Sequence, residues 1–333
     1  KLANNDNGKG GRPRYCPVLL FKMIFLSFLF NKSDRDTEEL CSNNIRCKYF
    51  LCLDVAAKSP DFTTLCNFRN EIINRFGKEW LDHVFSSLID ECKNLGIRFG
   101  SVHALDATHT LANVDTRKPN TPHSNEGIIK KRIARNSSLL RDQDAMWGAK
   151  GSEIKKDENG NDVKVVKFFY VYKSHLLVDT KHGLVTGLRT SAGNRADIDE
   201  GEALLLVDMN KGEREKINLN KLTADAAYSD AVFIGIMEKD YNIKTAIALN
   251  TSLLRGKYKN RWKEYKETPE RKEALRTRYV VEQVNGDCKN NHGLRNCRYL
   301  GQAKYHFQSV MTAVAHNLKI AMRIVKGVRF RPI

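Results

Sequence analysis

The sequence predicts a mixed α/β protein, with an all-helical region in front of a core built on a mixed sheet. Apolar residues recur at helical spacing through residues 15–98, and from residue 99 onwards short apolar runs alternate with turn residues. A content of 41% hydrophobic and 29% charged residues is sufficient for a sizeable buried core. We therefore expect a basic flexible arm over 1–14, a helical domain over 15–98 and an α/β domain over 99–333.

The helical region shows several recognisable helix starts. Leu19–Phe30 is an apolar run that is too short to span a membrane and contains a lysine, so we expect a buried helix. Ser33 and Asp36 have the spacing of a capping box, and Pro60–Asp61 begins another helix. A fourth helix is expected over Trp80–Leu95. The region therefore predicts a helical bundle, with a helix-turn-helix inside it as the alternative.

The α/β region is predicted from strand and turn patterns. Residues 113–160 are polar and charged, which favours a long irregular insertion. Asn159–Gly160 and Lys181–Gly183 are turn signals between strands. Strands are expected at Val102–Leu105, Val163–Tyr172, Ser174–Val178, Leu184–Thr190, Lys221–Ala224 and Ile243–Leu249, and helices at Ala196–Met209, Ala231–Lys239 (capped by Ser229) and after Pro269. Several antiparallel strands followed by alternating helices and strands make a plan of the ribonuclease-H-like kind.

The charge balance restricts the partners of the chain. A formal net charge of +17 and a pI near 9.5 make self-repulsion costly unless a polyanion relieves it. Nucleic acid is the commonest such partner, and an anionic membrane surface would serve as well. The basic composition by itself does not separate the two.

The cysteines favour a reducing compartment. The chain has eight cysteines but no Cys-x-x-Cys pair, and a protein of this length does not depend on disulfides. Free thiols in a cytoplasm are the simpler interpretation. A zinc site built from Cys288, His292 and Cys297 is a weaker alternative, because the spacing matches no common ligand pattern.

Two aspartates end strands that are expected to be buried. Asp106 follows Val102–Leu105, and Asp225 follows Leu222–Ala224. A strand end is rigid and opens onto the rim of the sheet, where a metal ligand can be held in place. The alternative for each residue is a turn former or a helix cap.

A helical segment supplies a third carboxylate. At about 100° per residue, Arg278, Glu282 and Lys289 fall on one face of a helix. An ordinary solvated face would carry the same residues, because Arg and Glu pairs four residues apart stabilise helices. The valines beside this polar row make it unusual for a solvated face.

These segments resemble the three catalytic segments of the DDE transposases of bacterial insertion sequences. The segments are Leu105–Thr108, Thr223–Tyr228 and Arg278-x3-Glu282-x6-Lys289, and the last is similar to the Tyr-Arg-Glu-Lys signature of one group. Leu275 stands where that signature has tyrosine. Asp142–Gly148, His292–Arg295 and the helical front also resemble the family, so the resemblance covers nearly the whole chain.

The resemblance implies a reaction, cofactors and partners. It implies that Asp106, Asp225 and Glu282 are catalytic and hold two Mg²⁺ ions, for which Mn²⁺ would substitute. The substrates would be double-stranded DNA at the element's terminal repeats and in the target. The implied protein is a DNA-bound homodimer of the cytoplasm, associated with the nucleoid and not with membrane, with DNA-binding or dimerisation functions in residues 15–98. Phosphate contacts are expected from Arg278, Lys289, Arg295 and Arg298.

Strand geometry predicts which residues near Asp106 in sequence lie on the same face of the strand. If residues 102–108 are extended, Thr108 shares the face of Asp106, whereas His103 and His109 point away. Both histidines are therefore poor metal-ligand candidates.

Two other functions remain open. A domesticated, non-catalytic DNA-binding descendant of a transposase would keep the basic surface, although the intact carboxylate set argues against it. A metal-dependent nuclease without strand transfer would use the same carboxylates.

Overall fold

The computed structural model describes residues 14–115, 140–156 and 162–327. The predicted basic arm lies outside the described residues except for Arg14, which pairs with Glu71 at 3.5 Å. Residues 116–139, half of the predicted insertion, and the Asn159–Gly160 turn also lie outside them. Met146–Lys156 of the same insertion form a strand and not the irregular structure predicted.

Four helices form the N-terminal region: α1 Pro17–Leu29, α2 Asp34–Asn43, α3 Ile45–Leu51 and α4 Phe62–Asn94. The predicted capping box is present, because the amide of Asp36 donates to the Ser33 hydroxyl at 3.2 Å and the Ser33 amide donates to the Asp36 carboxylate at 3.3 Å. Asp61 caps α4 as predicted. The separate helix expected from Trp80 is the second half of α4, which changes direction at Gly77, where φ is +67°.

Six strands form one mixed sheet: β1 Val102–Leu111, β2 Met146–Lys156, β3 Asp162–Asp179, β4 Leu184–Ala192, β5 Lys221–Ala224 and β6 Lys244–Ile247. The order is β2-β3-β1-β5-β6, and β4 also pairs with β3. The pairs of β3 with β1, β2 and β4 are antiparallel, whereas β1, β5 and β6 are parallel. The prediction of a mixed α/β protein is therefore confirmed.

Two strands are longer than the sequence pattern predicts. Asp106 lies in the middle of β1 and does not end it, because the strand continues to Leu111 in register with β3. The two strands expected on either side of Lys173 are a single strand, β3. Lys173 is buried within it and donates to Asp197 at 2.7 Å and to the carbonyl of Arg195 at 2.8 Å. A paired lysine therefore does not interrupt the strand.

The remaining helices are α5 Asp197–Ala203, α6 Lys211–Lys216, α7 Ala231–Gly235, α8 Thr251–Arg255, α9 Lys259–Glu267, α10 Pro269–Arg276, α11 Tyr279–Asn291 and α12 Gln302–Lys326. Short π-helical turns over Leu204–Asp208 and Ile236–Asp240 extend α5 and α7. The cap of α7 is Asp230 rather than the predicted Ser229, whose hydroxyl instead accepts from the amide of Asn250. None of the helices in the described ranges has the length and apolarity to cross a bilayer.

Helix α12 joins the sheet to the N-terminal helices. Tyr305 on α12 stacks on Tyr172 of β3, with ring centroids 4.6 Å apart, and Phe307 packs edge-on against Phe28 of α1. The Tyr305 hydroxyl also lies within hydrogen-bond distance of Ser174 and Thr110 on two strands. The helical region therefore packs directly against the α/β core.

Candidate active site

Asp106 of β1 and Asp225, the first residue after β5, lie side by side. Leu105 of β1 is in parallel register with Ala224 of β5, and the residue that follows each of them is an aspartate, Asp106 or Asp225. Neighbouring strands are about 4.8 Å apart, which brings the two carboxyl groups together. Burial and the adjacent charge of Asp225 raise the pKa of Asp106 to about 6.

Helix α11 is anchored over this pair. The amide nitrogen of Asn285 donates to the Asp106 carboxylate at 2.8 Å. Glu282 lies three residues earlier, on the same face of α11, and pairs with Arg278 at 2.7 Å. The Arg278 charge also acts on Asp106, where it opposes the rise in pKa. Glu282 thus lies on the helix that Asn285 joins to Asp106, with its side chain 54% exposed.

Asp225 also has the other function considered from the sequence, that of a turn former or helix cap. One carboxylate oxygen accepts from the amide of Ala227 at 2.9 Å and so caps a short 3₁₀ turn. The cap orients the side chain and leaves the second oxygen available to a ligand. A turn-forming role and a binding role are therefore compatible at this position.

Three residues of the site were not predicted from the sequence. Asn285 is described above, and the buried Tyr228 follows Asp225 on its turn. Burial and the charges of Asp197, Asp106 and Asp225 raise the pKa of Tyr228 well above its ordinary value, so its hydroxyl stays protonated. Asp197 begins α5 and also acts on Asp106. Helix-start chemistry was its only sequence signal.

Two buried polar atoms of the site lack a hydrogen-bond partner among the described residues. They are the carbonyl oxygen of Asn285, whose residue is 7% exposed, and the hydroxyl of Tyr228, whose residue is 1% exposed. A buried polar atom without a partner costs roughly 1–3 kcal/mol. The site therefore has unused hydrogen-bonding and ligand capacity beside its carboxylates.

The histidines of β1 are placed apart from this chemistry. His103 is fully buried, and burial lowers its pKa to about 3, so the ring is neutral. Thr108 is buried, and His109 is half-buried. His103 is a core residue.

The four basic residues expected to contact DNA have different environments. Arg278 lies in the site, and Lys289 is half-buried on the same helix. Arg295 is exposed and donates to Asn290 at 2.6 Å. Arg298, by contrast, donates to the carbonyl of Lys32 and to Asn31 at 3.0 Å each, and its guanidinium lies 4.4 Å above the ring of Phe28. The Arg298 side chain therefore joins the core to α1, and burial lowers its pKa.

The eight cysteines are free thiols. Burial raises the pKa of Cys288 to about 12. Neither Cys288 nor Cys297 joins His292 in a group of candidate metal ligands within the described residues. The structure therefore gives no support to the zinc site considered from the sequence.

The raised pKa of Asp106 predicts a pH-dependent stability. The folded protein keeps this proton until about pH 6, whereas the unfolded chain releases it near 3.8, so raising the pH through this window lowers the free energy of unfolding. The loss should be about 2 kcal/mol. Urea titrations at pH 4.5 and pH 7 without divalent ions should show it in the wild type and not in Asp106→Asn. An equal pH dependence in the variant would contradict the assignment.

Two family models match the sequence. The model described as Transposase DDE domain covers residues 102–318, well over half of the chain, and the one described as Transposase domain (DUF772) covers residues 1–71. The chain belongs to the DDE transposase family. Neither a curated protein nor a solved structure matches it significantly.

The region of this transposase that matches the DDE domain contains all three predicted catalytic carboxylates. Membership supports a function in transposition and implies that the transposase binds DNA. Domains of this family generally use divalent metal ions. The second match covers α1 to α3 and the start of α4.

Proposed function

We propose that the protein is a transposase that cleaves DNA at the ends of an insertion sequence and transfers the freed strands into target DNA. The observation that carries this proposal is the register of β1 and β5, which pairs Asp106 with Asp225 beneath α11. The Asn285 bond to Asp106 supports the assignment of Glu282, three residues earlier on the same helix, to this site.

The proposed core fold is ribonuclease-H-like. The strand sequence β4-β3-β1-β5-β6, in which the first three strands are antiparallel and the last two are parallel to β1, supports this assignment. We further assign residues 15–98 to DNA binding or dimerisation, and the 1–14 arm to DNA contact. Arg278, Glu282 and Lys289 would correspond to the last three residues of the family signature, with Leu275 in the tyrosine position.

The residues of the site fit a pair of Mg²⁺ ions, with Mn²⁺ as a substitute. Carboxylate and amide oxygens are the hard ligands that Mg²⁺ prefers, and Asp106, Asp225, Glu282 and the unpartnered oxygen of Asn285 offer that set. Burial and, after it, repulsion from Asp225 raise the pKa of Asp106, and a bound cation would relieve that repulsion. When bound, such ions activate the attacking oxygen and stabilise the leaving oxygen of a phosphodiester.

The side chains of this chain would then have separate tasks. Asp106, Asp225 and Glu282 hold the ions, and Arg278 orients Glu282 while its remaining N–H groups face the substrate phosphate. Asn285 fixes the carboxylate plane of Asp106. Lys289 and Arg295 are assigned to the flanking DNA backbone, and Arg298 is left out of this set because of its internal contacts.

A cleavage and joining assay tests this function. The substrates are a linear DNA that carries the element's ends and a supercoiled target plasmid, with Mg²⁺ or Mn²⁺. Joined products are expected. Cleavage without joined products would favour the nuclease, and specific binding of the ends without cleavage in either metal would favour the domesticated binder. We further propose that the protein acts on DNA as a homodimer, with one subunit at each end of the element, in the cytoplasm at the nucleoid.

DNA affinity should depend steeply on salt. Each phosphate that a basic side chain neutralises releases close to one counterion from DNA. Replacing Arg295 by Glu should weaken binding to all sequences alike and lower the slope of log K against log salt by about one. Lys211→Glu on α6, at a lysine side chain that is 84% exposed, is the charge-matched control. Affinity that does not change with salt would favour a membrane or protein partner.

A further inference from the structure

A second cluster of potential ligands lies on another face of α11. The ligand atoms of Asp287, His292 and His316 all lie within 4.8 Å of one another. The two histidines are 1% and 3% exposed, Asp287 is partly buried, and all three residues line a groove of about 1200 Å³. Asp287 is five residues beyond Glu282, so the two side chains point about 140° apart around the helix. The cluster is thus distinct from the carboxylate site.

Both histidines are oriented by backbone carbonyl groups. His316 Nε2 lies 2.8 Å from the carbonyl oxygen of Gly183, and His292 Nδ1 lies 3.1 Å from that of Phe28. A carbonyl only accepts, so each of these nitrogens carries a proton and donates it. The other nitrogen of each ring faces Asp287, at 2.6 Å for His316 and 3.5 Å for His292. Histidines that bind metals are held by such a bond from the distal ring nitrogen.

We propose that Asp287, His292 and His316 form a binding site for a transition-metal ion of the zinc type. Two imidazoles and one carboxylate are a common set of protein ligands for this ion. In a tetrahedral site, ligand distances of about 2.0–2.2 Å place any two ligand atoms about 3.3–3.6 Å apart. Side-chain movements of about 1 Å would therefore close the present arrangement around an ion. The site does not depend on the reaction proposed above.

Lys319 occupies this position with its own positive charge. Its ammonium donates to the two oxygens of Asp287 at 2.8 and 2.6 Å and lies 2.9 Å from His292 Nε2. Burial would raise the pKa of Asp287, but hydrogen bonds from neighbours, among them His316 and Lys319, hold it far below its ordinary range. Metal binding would displace the ammonium and put one divalent ion in its place.

The displaced lysine has room to move. Lys319 lines the same groove as Arg323, which lies four residues later on α12. The Lys319 side chain is already 17% exposed. The bound ion would tie α11 to α12, and through the carbonyl partners of the histidines also to α1 and to the turn between β3 and β4. At a free metal concentration a hundredfold above Kd, we expect the melting temperature to rise by about 4 °C.

Cobalt absorption tests the proposal. The full chain carrying Asp106→Asn and Asp225→Asn, which weakens the other metal site, is titrated with Co²⁺ under reducing conditions. One equivalent of Co²⁺ should give the intense visible bands of a tetrahedral complex, and added Zn²⁺ should displace the Co²⁺ and remove these bands. His292→Gln or His316→Gln should weaken binding by at least about 100-fold, more than the loss of an outer-shell partner. His306→Gln is the matched control, since that ring pairs with Asp82 and Thr190 outside the cluster.

Lys319→Gln keeps the proposal testable if a histidine variant does not fold. Removing the competing ammonium should tighten Co²⁺ binding by about tenfold or more, the worth of a hydrogen bond to a charged group. The proposal is overturned if no tetrahedral complex forms with either the parent or Lys319→Gln. It is equally overturned if folded histidine variants retain the complex, or if a near-ultraviolet thiolate band assigns the ion to cysteine. The cluster would then be an ion-pair network closed by Lys319.

Discussion

Replacing Asp225 by Asn should abolish DNA cleavage and strand transfer while leaving DNA binding intact. The side chain keeps its shape, and its oxygen can still accept from the amide of Ala227, so the 3₁₀ turn should persist. The negative charge that holds a divalent ion is lost. Rates in Mg²⁺ or Mn²⁺ should fall by about 10³-fold or more, as expected when one member of a cooperating catalytic set is removed.

Binding should survive because phosphate contacts come mainly from lysine and arginine. It should even tighten slightly, since one of the negative charges around Asp106 is removed. Single-turnover cleavage and gel-shift titrations on the same DNA measure the two effects separately. Asp106→Asn and Glu282→Gln should resemble Asp225→Asn, and the effects should not add.

Asp230→Asn supplies the matched control. Asp230 is exposed and caps α7 by accepting from the amides of Val232 and Phe233, a role that asparagine fills equally well. The same chemical change five residues from Asp225 should therefore leave cleavage at the wild-type rate. Full cleavage by Asp225→Asn, or an equal loss in Asp230→Asn, would rule out the carboxylate mechanism.

The two aspartates of the candidate site could be predicted from the sequence because local patterns point to them. Each follows a short apolar run, and two buried strands of this kind are expected to be neighbours in one sheet. The parallel register of Leu105 with Ala224 is a long-range property that no local pattern specifies. The continuation of β1 past Asp106 has the same origin, because pairing with β3 and with Asn296 holds the strand in place.

The residues that escaped prediction act through packing between distant segments. Asn285 looks like an ordinary helix residue until α11 is placed on β1, where its amide meets Asp106. Tyr228 and Asp197 become part of the site only when their turns approach the same sheet edge. Arg298 illustrates the reverse case. Its position among basic residues favours a DNA contact, but the carbonyl of Lys32, more than 260 residues away, accepts from its guanidinium.

Replacing Arg69 by Met should cause a large loss of stability. Arg69 on α4 is 3% exposed, and its guanidinium forms two hydrogen bonds to the Asp34 carboxylate, at 3.0 and 2.8 Å. It also donates to the Tyr299 hydroxyl at 3.0 Å and lies 4.1 Å above that ring. Burial would lower the pKa of Arg69, but the bonds to Asp34 outweigh it and raise the pKa, so the charge is permanent. Removing the Arg69 guanidinium leaves the partly buried Asp34 carboxylate without its ion-pair partner, which should cost about 3–5 kcal/mol of stability.

The loss should weaken the junction between the two regions of the protein. Asp34 and Arg69 belong to the N-terminal helices, whereas Tyr299 lies in the segment that leads into α12. We therefore expect Arg69→Met to expose the N-terminal helices to limited proteolysis before the core unfolds. Arg69→Lys should recover less than half of the loss, because an ammonium cannot reproduce the two-point contact with a carboxylate.

Arg75 provides the comparison that decides what Arg69 contributes. It lies on the same helix, its side chain is 54% exposed, and it approaches Glu71 at only 3.8 Å. Arg75→Met should change the free energy of unfolding by no more than about 0.5 kcal/mol. Urea unfolding of both variants, with Asp34→Asn completing a double-mutant cycle, measures the coupling energy directly. If Arg69→Met costs no more than Arg75→Met, apolar packing such as that of Phe28 on Phe307 holds the two regions together without help from the buried ion pair.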